Sequence, residues 1–230
     1  MLKNNNKNVI KAYNNQNIIK KMYMNNNVVF EYNGLPQGYQ QCKYIGSTGT
    51  QYIDTGVKGN SKIKIDTIFE ITSTRHTQFF FGSRQSTYVQ TFSFICSNYT
   101  DNPWTFRSDF NNRPGQIQTE MISNMTGYPL FHVIKDKNIT TIENNEYINN
   151  ISYSNFTSNY NIYIFTVNTN NNTSNFSYMK LYSFKVFEND ILIQNLIPCL
   201  DNNNTPCMYD LVTKQTFYNR GTGTFDYELL

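Results

Sequence analysis

Alanine occurs once in these 230 residues, at Ala12, and no segment carries a sustained apolar repeat of 3.6 residues. That combination excludes a helical bundle and a helix-covered parallel sheet. Charge is scarce as well. Asp, Glu, Lys and Arg make up 15% of the chain, against roughly 25% in ordinary soluble domains, so amides and hydroxyls must cover most of the surface. No apolar run approaches the ~18–20 residues of a membrane helix. Residues 1–24 lack the apolar core of a secretory signal, from which we expect synthesis and folding in a cytoplasm. Only two histidines accompany Cys42, Cys96, Cys199 and Cys207, too few for a zinc site of usual Cys/His spacing. The cysteines read as buried or free thiols. Only Cys199 and Cys207 are near neighbours, able to pair across Leu200–Pro206.

Asparagine is the commonest residue, with 36 copies, beside 18 Tyr and 17 Phe. Asparagine favours turns, and aromatic and β-branched residues favour strands. The net charge is +3; residues 1–36 hold five Lys and one Glu, so the basic excess lies in this segment. Those lysines are scattered, with no Arg and no basic run, and nucleic-acid binding is not expected.

Strands are legible along the chain. Ile63, Ile65, Phe69 and Ile71 alternate with Lys62, Lys64, Asp66 and Glu70, the pattern of a half-buried strand. Phe79-Phe80-Phe81-Gly82-Ser83-Arg84 reads as a buried strand ending in a turn. Further strands are expected at Val89–Cys96, Trp104–Asp109, Leu130–Lys135, Ile139–Glu143, Glu146–Ile148 and Ile162–Val167, with a loop over Asn168–Asn175. A last pair, from Lys180 to Glu188 and from Ile191 to a stop at Pro198-Cys199, turns at Asn189-Asp190. Many short strands with regular turns predict a sandwich.

Residues 1–37 differ, placing apolar pairs between Asn runs. Two strands around Asn25-Asn26-Asn27, Ile18–Met24 and Val28–Tyr32, predict a hairpin arm. A lone hairpin is marginal in water, so Ile10, Ile18, Ile19, Val28, Val29 and Phe30 are expected to dock on another chain, a copy or a partner. Asn33-Gly34-Leu35-Pro36-Gln37 is a linker by its turn chemistry, which puts the main domain at 38–230.

Two runs carry a family resemblance. Leu35-Pro36-Gln37-Gly38-Tyr39 followed by Tyr44-Ile45-Gly46-Ser47-Thr48-Gly49-Thr50-Gln51-Tyr52-Ile53-Asp54-Thr55-Gly56 resembles the opening of laminin-G-like (concanavalin-A-like) jelly-roll domains. The order from Lys180 to Phe225, closing on Gly221 and Gly223, resembles their end, although the turn usually reads Asn-Gly where this chain has Asn189-Asp190. Such domains occur in bacteriophage structural proteins and on gut bacterial surfaces. The resemblance implies an all-β, antiparallel two-sheet jelly roll with the hairpin arm appended. It implies a bacteriophage virion protein of the tail, baseplate or head fibre, made in the host cytoplasm and touching other virion proteins. A bacterial cell-surface glycan-binding module is the alternative, and a glycoside hydrolase a third reading.

The hydrolase reading lacks its chemistry, since a retaining enzyme needs two carboxylates roughly 5–5.5 Å apart and no Glu-x-Asp-x-x-Glu cluster occurs. His76 and His132 sit in a polar loop and a strand without a nucleophile pattern. We therefore expect no enzyme. Sugars stack on aromatic rings and bond to amides and carboxylates. Tyr99, Trp104, Asp109 and Asn111 share one loop–strand–loop stretch, which makes them the sequence candidates for binding a host surface glycan. Asp54, Asp101 and Asp109 are candidate calcium ligands, without an Asp-x-Asp-x-Asp spacing.

Overall fold

The computed structural model describes residues 34–73, 77–97, 105–112, 130–137, 139–142 and 154–230, with short strands at 3–4, 7–8, 21–24, 27–31, 116–117 and 145–148. In chain order the strands are β1 (Lys3–Asn4), β2 (Lys7–Asn8), β3 (Lys21–Met24), β4 (Asn27–Glu31), β5 (Gln40–Thr48), β6 (Ile53–Asn60), β7 (Ile63–Ile71), β8 (Gln78–Arg84), β9 (Thr91–Ser97), β10 (Thr105–Asn111) and β11 (Gln116–Ile117). They continue as β12 (Leu130–Asp136), β13 (Ile139–Ile142), β14 (Asn145–Ile148), β15 (Thr157–Ile164), β16 (Val167–Thr169), β17 (Asn172–Ser174), β18 (Tyr178–Glu188), β19 (Ile191–Leu200), β20 (Pro206–Asp210), β21 (Thr216–Phe217) and β22 (Asp226–Leu229). None of the described residues is helical, and none belongs to a helix long and apolar enough to cross a membrane.

Two sheets form a sandwich, as the sequence predicts. The smaller runs β11-β10-β9-β8-β15-β6 and carries the β16–β17 hairpin; the larger runs β14-β13-β12-β7-β18-β5-β19-β20-β21, with β22 on β5. The described pairings are antiparallel except β16 on β8, which is parallel. The expected hairpin of the arm is β3 with β4, a separate two-stranded sheet. Val28, Val29 and Phe30 lie on β4, while Ile10, Ile18 and Ile19 fall outside the described residues.

Period-two alternation places the core. Along β7 every second residue from Ile63 to Ile71 is buried. Phe69 of the larger sheet stacks on Phe80 of the smaller, ring centres 4.6 Å apart, and Phe106 meets Phe131 edge to face at 5.2 Å. Each such ring stabilises by about 1.5–3 kcal/mol through burial alone. Phenylalanine thus fills much of the interior between the sheets.

Asparagine turns set the register. Asn189 and Asp190 both adopt positive φ, 50° and 63°, so the β18–β19 hairpin forms although Asp stands where Gly is commoner. The same device corrects one expectation. Asn168–Asn175 is not an open loop but largely the β16–β17 hairpin, turned by Asn170 and Asn171 at φ 51° and 64°. A second correction concerns Pro198-Cys199. These residues do not end the strand, because β19 continues to Leu200 with Pro198 opposite Met208.

Candidate functional site

The two runs that resemble the family's opening and close lie against one another. The Gln51 side chain is buried, and its Oε1 accepts from the Thr48 amide at 2.8 Å, which fixes the turn leading into β6. The Tyr52 amide donates to Asn219 Oδ1 at 3.1 Å, and the Arg220 amide donates to the Tyr52 carbonyl at 2.8 Å. Asn219 also accepts from the Gly221 amide at 2.8 Å and donates to the Gly223 carbonyl at 2.9 Å. A methyl on Gly221 would sit 1.9 Å from the Thr50 carbonyl oxygen, so glycine alone permits this approach.

Between the runs lies a cleft of about 450 Å³, within the size range of small-ligand sites. Asp54 and Gly56 line it from the smaller sheet; Gln215, Phe217, Tyr218 and Arg220 line it from the edge of the larger. One Asp54 oxygen accepts from the Gly56 amide at 2.9 Å, a tight turn that Gly56 permits at φ 73°. Neither Asp54 nor Arg220 forms an ion pair with a described residue. Both act on Tyr163, whose hydroxyl pKa is raised, first by burial and then by Asp54 and Tyr52, against an opposing pull from Arg220. Tyr218 is 42% exposed, and its phenol donates to Asp201 Oδ2 at 3.0 Å. Asp201 in turn accepts from the Asn203 and Thr205 amides, each at 2.8 Å. Burial and the bond to Asp201 push the Tyr218 pKa up.

This arrangement offers a carboxylate acceptor, a guanidinium donor and a partly exposed ring anchored through its hydroxyl to Asp201. A sugar presents the complement: hydroxyls that donate to one group and accept from another, and an apolar face that packs on a ring.

The residues singled out from the sequence fare differently. Tyr99 and Trp104 lie outside the described residues. Asp109 is fully buried, its carboxylate gripped by Arg107 at 2.8 and 3.1 Å, so it offers no hydroxyl partner at the rim. Burial is forced by its place in β10, where both faces are covered from Phe106 to Phe110. Asn111, at φ 54°, is tied through its side-chain amide to Ser154. Asp54 and Asp109 are four strands apart in the smaller sheet, roughly 19 Å, and Asp101 is outside the described residues, so the calcium set does not converge. No group of three metal-ligating side chains occurs among the described residues. His132 bonds to Asp66 at 2.9 Å on the outer face of the larger sheet.

Neither a protein-family profile nor a curated protein matches the sequence. Among solved structures, the chain is similar to a protein of Bacteroides ovatus ATCC 8483 for which carbohydrate binding has been proposed. The TM-score is 0.47 and the identity 8%, over 91% of this chain and 67% of that one.

Proposed function

We propose that this protein is a non-catalytic glycan-binding β-sandwich presented on a surface, with the Asp54–Arg220 cleft as its binding site. The observation that carries this reading is an oppositely charged pair lining one cleft without meeting, beside the exposed ring of Tyr218. Neither charge meets an ion-pair partner among the described residues, and a sugar hydroxyl can donate to the carboxylate and accept from the guanidinium. The β3–β4 hairpin is the docking element, since so small a hairpin needs a partner to persist. A glycan array probed with the multimerised full chain tests the reading, because weak sites register through avidity. Binding that Arg220→Ala abolishes is expected; binding that Arg220→Ala leaves intact would move the site elsewhere, and no binding at all would end the reading. The matching runs at 44–56 and 180–225 support a second placement of the same module, on a bacteriophage particle, which mass spectrometry of purified virions decides.

A further inference from the structure

Below the Asp201 turn, Cys199 of β19 and Cys207 of β20 are direct cross-strand partners. Their sulfurs are 3.5 Å apart and both residues are fully buried. Leu35, Tyr39 and Tyr209 pack over them in a small cluster set apart from the main core. A disulfide needs its sulfurs at about 2.05 Å with Cβ atoms about 3.5–4.5 Å apart. Directly opposed residues of antiparallel strands already place Cβ atoms about 4.5–5.5 Å apart. Closing the bond therefore takes small side-chain rotations and a slight approach of two strands already in register.

The remaining cysteines do not share this placement. Cys96 belongs to the main core between the sheets. Cys42 stands on β5 opposite Leu229 of β22, and the residue of β5 facing Cys199 is Gln41. Only one pair is opposed, and it closes the root of the hairpin whose turn residue, Asp201, orients Tyr218 in the cleft.

We propose that Cys199 and Cys207 are a disulfide-forming pair, oxidised by a low-molecular-weight disulfide such as oxidised glutathione. One thiolate attacks the glutathione disulfide, forming a mixed disulfide and releasing one glutathione. The second thiolate then attacks the protein sulfur of that mixed disulfide and expels the other glutathione. Two cysteine thiols lose two protons and two electrons, the protein S–S bond forms, and the oxidant leaves as two thiols. In the folded reduced chain the Cys207 contact and burial hold the Cys199 thiol well above its ordinary pKa. Exchange is thus slow once β20 has closed on β19, and the bond forms while the two strands are still closing.

The full chain is refolded with oxidised and reduced glutathione, alkylated, digested without reduction and mapped by mass spectrometry. The expected product is a Cys199–Cys207 linkage, two hydrogens lighter than the reduced peptides, with Cys42 and Cys96 alkylated. Its melting temperature should exceed that of the reduced chain by about 5 °C, a shift that Cys199→Val/Cys207→Val abolishes. Diamide added during refolding in place of glutathione gives the same readout with a second oxidant. Linkage through Cys42 or Cys96, or free Cys199 and Cys207 after both treatments, would overturn the proposal.

Discussion

The Lys135 ammonium donates to the Ser108 hydroxyl at 2.7 Å, joining the larger sheet to the smaller across the interior. Thr140 donates to the same oxygen at 2.7 Å, and the Phe92 and Phe110 rings lie 4.8 and 5.8 Å from the nitrogen. Burial pushes the Lys135 pKa down to about 7, against the pull of Asp109 and Asp136. An unfolded lysine keeps its proton to about pH 10.4, so between about pH 7 and 10 the unfolded chain binds more protons than the folded one. Stability therefore rises with pH across that window and levels off below it. Lys135→Met should flatten this slope and raise stability at pH 7 by about 1–4 kcal/mol. Denaturant melts of both proteins at pH 7 and pH 9 provide the check, and parallel profiles would refute it.

The cleft gives a separable expectation. Asp54→Ala and Arg220→Ala each remove a hydrogen-bonding charge worth about 1.5–3 kcal/mol, so glycan affinity should fall about ten-fold or more. The melting temperature should stay put for Arg220→Ala, whose exposed side chain forms no ion pair with a described residue, and fall slightly for Asp54→Ala, which also loses the bond from the Gly56 amide. Titration calorimetry beside a thermal melt distinguishes lost binding from lost folding.

Gly221→Ala should do both kinds of damage. Its methyl collides with the Thr50 carbonyl, so the closing run must shift, at a cost of about 1–3 kcal/mol. Arg220 is its immediate neighbour and moves with it. A variant that melts and binds like the parent would show that the two runs are not in register.

Arg107→Ala withdraws the bidentate partner of a fully buried carboxylate. Breaking a buried pair from one side costs about 3–5 kcal/mol. The paired change Arg107→Met/Asp109→Leu, which removes both charges, should recover much of that loss in urea melts.

How far these features could be read from the sequence depended on whether their causes were local. The alternation from Ile63 to Ile71 is a strand because its period is two, and that is visible in nine consecutive letters. The turn at Asn170-Asn171 was obscured because asparagine is everywhere, so a left-handed pair looks like one more polar stretch. Arg107 and Asp109 stand two apart on one strand, hence on one face, a spacing that signals their pairing within the strand. The cleft was least legible. Asp54 and Arg220 sit at opposite ends of the chain inside runs that read as scaffold signatures, while the lone tryptophan makes residues 99–111 the more conspicuous sugar platform. The contacts of Thr50 and Tyr52 with residues 219–222 bring the two runs together.

The final strand has a consequence for self-association. All four residues of β22 are exposed, yet they pair along β5 from Cys42 to Gly46, and the Leu230 amide reaches the Gln41 carbonyl at 3.3 Å. This thin strip of backbone is what caps that flank of β5. A chain cut before Asp226 would present bare amides and carbonyls there, a template for any strand of matching length. The best supply of such strands is the intact β22 of another copy, so a mixture of cut and whole chains should trade tails and assemble into strand-exchanged pairs.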